Sequence, residues 1–356
     1  MNQEELTKLN IGQNLDDLTN LDPRGYGVSR ILYKGAREYT KRPLTLNFAE
    51  QLINIIKKDD IVFIMVGFVL LPHKKAEMDG INGAMLLARA LYHAFGAKAV
   101  IVCPADNLIA VKNMAYDMGL HLYTDIEELK QYPISMGVIT FTKNQSQALS
   151  QSENLVKIYG LPKAVIAIEA PGSNSIGVYH NATGLNMSEY EAKTDVFFQF
   201  LKDKGVKTFA IGDLGNEMGM GTIKDHIAKY IPYAKATACR CGCNGGILAK
   251  TASEVILTAT VSDWGAYGVI AALSFLLNKD SIMPTPELVG QTMITASRCG
   301  MVDMYGDLIP SVDGFDKQTV MTIVSLMREC ISYAPKLKET CATWFQKTIE
   351  LGFFDN

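Results

Sequence analysis

The stretch Thr208–Gly221, T-F-A-I-G-D-L-G-N-E-M-G-M-G, decides the fold. An apolar run, Thr208–Ile211, precedes glycines at 212, 215, 219 and 221, with Asp213, Asn216 and Glu217 between them and a helix expected from Thr222. That order predicts a buried strand, a polar glycine-rich turn and a helix. Each glycine costs about 0.5–1 kcal/mol relative to alanine in regular structure, so four in so short a span need a reason. A small-ligand pocket supplies one, because the carboxyl end of a strand faces the free N–H groups of the following helix. A merely tight turn is the plainer explanation, but it would not need Asp, Asn and Glu together. The loop has neither G-x-G-x-x-G spacing nor a G-K-[ST] ending. Its two carboxylates disfavour a bare phosphate unless a metal lies between them.

The rest of the chain repeats the pattern. Ile61–Val66, Lys98–Cys103, Gly137–Phe141, Ala164–Ile168 and Glu254–Thr260 are apolar or β-branched runs, most of them followed by helical patterns such as Met85–Phe95, Ser188–Lys204 and Val269–Leu277. Strands alternating with helices predict an α/β fold, a mainly parallel sheet flanked by helices on both faces in a Rossmann-like three-layer arrangement. Ligands then bind outside the carboxyl ends of the strands. Five strands place acids at that edge: Glu77 and Asp79, Asp106, Glu169, Asp213 and Glu217, and Asp263. Residues 1–58 form a helical, connective segment and residues 59–356 the α/β ligand-binding or catalytic domain, unless 1–356 is a single domain. A helix over Asn47–Lys57 is expected in the first part, and helices over Lys317–Ser332 and Lys338–Leu351 close the chain.

Composition excludes several classes. Hydrophobic residues are 48% and charged ones 20%, as in soluble globular proteins. The net charge of −3, with Lys and Arg dispersed, offers no footprint for nucleic acid. No apolar run approaches a membrane span, and the acidic, polar start M-N-Q-E-E-L-T-K is no signal peptide. Seven cysteines argue against a disulfide framework and for the reducing cytoplasm. Cys239, Cys241 and Cys243 form the one cluster; no matching Cys/His pair is evident beside it, so packing or a close backbone approach near Gly242, Gly245 and Gly246 is expected there, with metal binding as the alternative. The five histidines are scattered, and only His180 lies beside a motif. A homo-oligomer is left open.

The motifs G-F-x-x-x-P, E-x-D-G-x-x-G-A, A-I-E-x-P-G, G-D-x-G-N-E-x-G-M-G, S-x-W-G-A-Y and a late V-D-G, spread over Gly67 to Gly314, resemble the domain at the C-terminal end of D-glutamate cyclases. Asp263 stands where the family commonly has asparagine, and Met304 where it has glycine. The resemblance implies a hydro-lyase that converts D-glutamate, or a related amino acid or lactam, with 5-oxo-D-proline as the product. Full-length members carry a further N-terminal domain.

Cyclisation must deprotonate the ammonium, neutralise the attacked carboxylate and expel water. The expected catalytic groups are Asp213, Glu217 and Glu169, with Asp213 or Glu217 taking the amine proton and Glu169 protonating the leaving oxygen. Substrate binding is expected from Asp79, Gly80, Asn82, Gly83, Gly172, Gly215, Asn216, Gly219, Gly221, Asp263, Trp264 and Arg298. So many carboxylates repel a dicarboxylate unless a cation intervenes. Either Arg298, Lys74 or Lys75 enters the pocket, or a divalent ion, Mg²⁺ or Mn²⁺, is held by Asp213, Glu217 and Glu169. The Arg24 segment is expected to be a solvated loop. Two other functions fit the same loop: a non-catalytic or regulatory domain binding an amino acid or nucleotide, and a nucleotide-dependent enzyme.

Overall fold

The computed structural model describes residues 2–352. Its strands are β1 (Ile61–Val66), β2 (Val69–Leu70), β3 (Lys75–Ala76), β4 (Lys98–Cys103), β5 (His121–Tyr123), β6 (Ser135–Thr140), β7 (Ala164–Ile168), β8 (Lys207–Gly212), β9 (Val255–Thr258), β10 (Ser311–Val312) and β11 (Phe315–Asp316). The helices are α1 (Gln3–Thr19), α2 (Val28–Thr40), α3 (Leu44–Ile55), α4 (Ile81–Phe95), α5 (Leu108–Met118), α6 (Ile126–Gln131), α7 (Gln145–Tyr159), α8 (Thr194–Asp203), α9 (Lys224–Tyr230), α10 (Ser262–Leu276), α11 (Pro286–Arg298) and α12 (Lys317–Glu350).

Seven parallel strands make one sheet, in the order β5-β6-β4-β1-β7-β8-β9. Every residue of β1, β4 and β7 is buried, as strands covered on both faces must be. Phe63 of β1 packs on Tyr159 of α7 and Phe197 of α8 on one face, while Phe209 of β8 meets Phe48 of α3 on the other. The second face also carries α4 and α10, which pack on each other and, through α10, on α1, α3 and α12. This is the three-layer α/β arrangement expected from the alternating runs.

From β1 the chain winds outward through β4 to β5 and β6, then crosses back to β7 and winds the other way to β9. The winding therefore reverses between β1 and β7, the place at the carboxyl ends where folds of this kind bind ligands. The backbone joins the two strands at that point, Gly67 N donating to Glu169 O at 3.1 Å.

Several elements differ from expectation. β5 is a short, partly exposed edge strand with no apolar run to announce it. The polar segment after β6, whose composition allows a loop or a polar helix, folds as the helix α7, capped by the Asn144 side chain. α8 starts at Thr194, later than its apolar spacing suggests, because Lys193 Nζ holds the carbonyls of Ser188 and Glu191 in a turn. α10 starts at Ser262, earlier than expected: a Cβ on Gly265 would lie 2.7 Å from Ile211 and Leu257, so the glycine is where the helix touches the sheet. The two closing helices are one, α12.

Candidate functional site

The carboxyl ends of β1, β7, β8 and β9 gather acids into one place. β1 leads to Glu77 and Asp79, β7 to Glu169, β8 to Asp213 and β9 to Asp263 at the head of α10, while the β10–β11 turn adds Asp313. Asp79, Glu169 and Asp213 each offer a carboxylate oxygen, all three within 4.8 Å of one another. Their residues are only 2%, 6% and 4% exposed. Glu169 holds a φ of 42°, a left-handed conformation that side chains larger than Asn rarely adopt, and Asp313 one of 53°, which Asp tolerates. Strain of the kind at Glu169, about 1–3 kcal/mol, collects at functional sites.

Two helix N-termini point at the cluster and are capped across it. Asp79 accepts from Ser262 N (2.9 Å) and Asp263 N (2.9 Å) at the start of α10; Asp263 accepts from Gly83 N (2.6 Å) and Asn82 Nδ2 (3.0 Å) at the start of α4. Each helix thus borrows its acidic cap from the loop of the other, where the helix dipoles favour negative charge. Ser262 Oγ donates to Glu169 Oε2 at 2.6 Å and brings the third acid to the same helix end.

Burial and mutual repulsion make these groups hold protons. Burial pushes Glu77, Asp79, Glu169 and Asp213 well above the carboxylate range, and like charges add to it: Asp313 beside Glu77, Asp263 beside Asp79, Glu217 beside Glu169, Glu169 beside Asp213. Asp263 rises to about 7, again through burial. Asp313 is raised less because the guanidinium of Arg24 opposes its burial and Asp213 shares a hydrogen bond with it. Asp213 Oδ1 and Asn82 Oδ1 are buried acceptors without a partner. An unmet acceptor of this kind costs about 1–3 kcal/mol and asks for a donor or a cation.

Glu217 lies beside Glu169 but is not one of the three clustered carboxylates. Its Oε1 accepts from Asp213 N (3.0 Å) and Leu214 N (2.5 Å), and its Oε2 from Gly215 N (2.6 Å). The carboxylate expected as base or ligand instead clamps the turn that carries Asp213, and Asp79 takes its place among the clustered oxygens. The expected cations are elsewhere too. Arg298 is exposed at the end of α11, Lys75 is exposed in β3, and Lys74 is exposed over the Tyr190 ring. The cation that reaches the cluster is Arg24, whose segment is not the solvated loop expected: Nη1 contacts Asp313 Oδ2 at 3.3 Å, Nη2 donates to Thr260 O at 2.7 Å, and the guanidinium lies over Phe315 and Tyr26. No sequence signal near Arg24 indicates a partner so far along the chain.

The glycines pack closely against protein. A Cβ on Gly80 would lie 2.5 Å from Glu169 Cβ, on Gly83 2.8 Å from Ala266 Cβ, on Gly172 2.5 Å from Ala249 Cβ, on Gly219 2.2 Å from Ala210 Cβ and on Gly221 2.6 Å from Thr251 O. Gly215 supplies a φ of 96° with Ile227 against it. They bring the acid-bearing loops together. Asn216 donates through Nδ2 to His180 O at 3.1 Å, and Trp264 is buried against Phe315.

A second group lies beyond Asn216, where His180 meets Cys239, Cys241 and Cys243. The expectation that the cysteines lack a histidine partner is corrected: His180 precedes them by some sixty residues, and only the fold brings it near.

Among the described residues, no helix is long and apolar enough to cross a membrane. A family model described as D-glutamate cyclase-like, C-terminal, matches residues 15–328. The human protein D-glutamate cyclase, mitochondrial, is 25% identical over 270 residues, covering 74% of this chain and 38% of the human protein. The chain therefore spans well under half the length of that relative.

Proposed function

Since the chain belongs to the D-glutamate cyclase-like C-terminal family, we propose that it is a hydro-lyase closing D-glutamate, or a close analogue, to 5-oxo-D-proline. The observation that carries this reading is the buried trio Asp79, Glu169 and Asp213, with an unpartnered Asp213 Oδ1 at the reversal point of the sheet. Such a site wants a hydrogen-bond donor of positive charge, which the substrate ammonium is. It also holds protons that neutralise an incoming carboxylate, which removes the repulsion foreseen from the acids alone.

In this scheme Asp213, protonated in the free site, passes its proton to the incoming γ-carboxylate and then takes one from the ammonium, whose nitrogen bonds to the γ-carboxyl carbon. Glu169, kept protonated by burial, protonates the leaving oxygen, and the C–O bond breaks as water departs. Nitrogen returns its second proton to Glu169, so charge and atoms balance and both acids end as they began. Asp79 and Asp263 hold the two helix ends in place, Glu217 fixes the Asp213 turn, and Arg24 offsets Asp313. Reaction within one molecule leaves the protein mainly to curl the chain into a near-attack geometry. The same trio of oxygens suits a hard divalent cation such as Mg²⁺ or Mn²⁺ in kind, and an ion entering there would displace the protons of the cluster.

The test is incubation of EDTA-treated protein with D-glutamate and with L-glutamate, with and without Mg²⁺ or Mn²⁺, following 5-oxoproline by chiral chromatography. Product from the D isomer supports the reading. Turnover without metal assigns the proton scheme, and turnover only with metal assigns the cation. A folded protein that forms no product under any of these conditions refutes it.

A further inference from the structure

We propose that His180, Cys239, Cys241 and Cys243 form a structural zinc site. The four ligand atoms lie within 4.8 Å of one another. Nε2 of His180 is 3.1 Å from Cys241 Sγ and 3.4 Å from Cys243 Sγ; Cys239 Sγ is 3.4 Å from Cys243 Sγ and 3.8 Å from Cys241 Sγ. Tetrahedral zinc with bonds of about 2.3 Å to sulfur and about 2.1 Å to nitrogen has edges of about 3.8 Å between sulfurs and about 3.6 Å from sulfur to nitrogen. The observed separations fall at or slightly inside those edges. All four positions are protein ligands of the thiolate and imidazole type, the set of a closed structural site, and no open position is left for a substrate.

The surrounding chain is shaped for this. Gly242, Asn244 and Gly246 take φ of 73°, 62° and 68°, so the backbone folds around the sulfurs. Gly245 N and Asn174 Nδ2 approach Cys243 Sγ at 3.4 Å and 3.7 Å, the kind of donor that supports a metal-bound thiolate. Cys241 N donates to Gly184 O at 3.1 Å, and a Cβ on Gly184 would meet Arg240 N at 2.8 Å, so the two ligand-bearing segments touch directly. His180 and Cys239 are buried, whereas Cys241 is at the surface.

A metal here has a structural task. Residues 231–254, between α9 and β9, contain no helix or strand, and so long a segment needs an anchor. The site ties it to the irregular segment around His180. That segment's carbonyl at His180 holds Asn216, the neighbour of Glu217 in the glycine-rich turn. Zinc therefore braces the turn carrying Asp213 from behind, without joining the carboxyl cluster.

The test uses the whole chain purified without chelator, and it reads metal rather than turnover, so it stands or falls apart from the D-glutamate reading. Elemental analysis is expected to give stoichiometric zinc. X-ray absorption should show mixed sulfur and nitrogen ligands, and exchange with Co²⁺ should give the intense visible bands of a tetrahedral thiolate site. Cys243→Ser and His180→Asn should lose zinc, while Cys299→Ser keeps it. Protein that carries no zinc and gives no tetrahedral Co²⁺ spectrum overturns the proposal. So does zinc bound through oxygen alone, which would place it at the carboxylates. If the variants fail to fold, the ligand spectrum of the unaltered chain still decides.

Discussion

Glu217→Gln separates a clamp from a catalytic base. The carboxylate accepts three backbone N–H groups, from Asp213, Leu214 and Gly215. Glutamine offers one oxygen and one NH₂, so the best arrangement keeps the Oε1 pair and turns a donor toward Gly215 N–H. One charge-assisted bond is lost, about 1.5–3 kcal/mol, and a buried N–H faces another donor, about 1–3 kcal/mol. The two bonds that survive also weaken, since a neutral acceptor is roughly half as strong as a charged one. The first two losses together are about 2.5–6 kcal/mol. At roughly 2.1 cal/mol/K of unfolding entropy for each residue, that corresponds to a Tm lowered by about 3–8 °C. Calorimetry should show the loss, and turnover should fall with it because Asp213 is no longer held. A Tm within 1 °C of the parent would refute the clamp.

Other variants probe the same framework. Glu191 is buried, accepts from Val69 N at 3.2 Å through one oxygen and has no partner at the other; burial raises it to about 8 from an ordinary 4.5. The folded chain therefore holds a proton that the unfolded chain releases, and stability falls as pH rises from about 4.5 to 8. Glu191→Gln keeps the acceptor and removes the titration, so its stability relative to the parent should improve by about 4 kcal/mol between pH 5 and 9, at 1.36 kcal/mol per unit. Denaturant melts at the two pH values measure it, and a parallel dependence in both proteins would contradict it. Gly219→Ala must place a Cβ 2.2 Å from Ala210 Cβ on a backbone with φ of 96°, and should lower stability by at least about 3 kcal/mol; a neutral melt would contradict it.

The sheet was legible because β1, β4 and β7 are apolar runs closed by turn residues, and burial on both faces leaves no other pattern open to them. The edge strand β5 was not, since three half-exposed residues bury too little to leave a signature. Convergence of most of these acids on one edge also followed from the sequence, because the parallel strands that lead to them end together; Asp106 after β4 instead pairs with Lys143 at 2.7 Å and is not among the clustered acids. Division of labour among them did not. Glu217 and Asp79 are both acids in glycine-rich loops, and only the positions of the backbone N–H groups make one a clamp and put the other in the trio. Arg24 and His180 were hidden for a related reason: their partners, Asp313 and the three cysteines, are distant in the chain and are brought to them by packing, which local spacing does not encode.

The most direct test of the carboxyl cluster as the reacting site is turnover of D-glutamate by Asp213→Asn beside the parent chain. Asp213 is buried, raised well above its ordinary range and unpartnered at Oδ1, so a neutral amide fits there and removes the carboxyl that the scheme uses to move protons. The account predicts a Tm equal to or above that of the parent with turnover reduced about 10²–10⁴-fold, the usual contribution of a positioned acid or base. Parental turnover in the folded variant would contradict it.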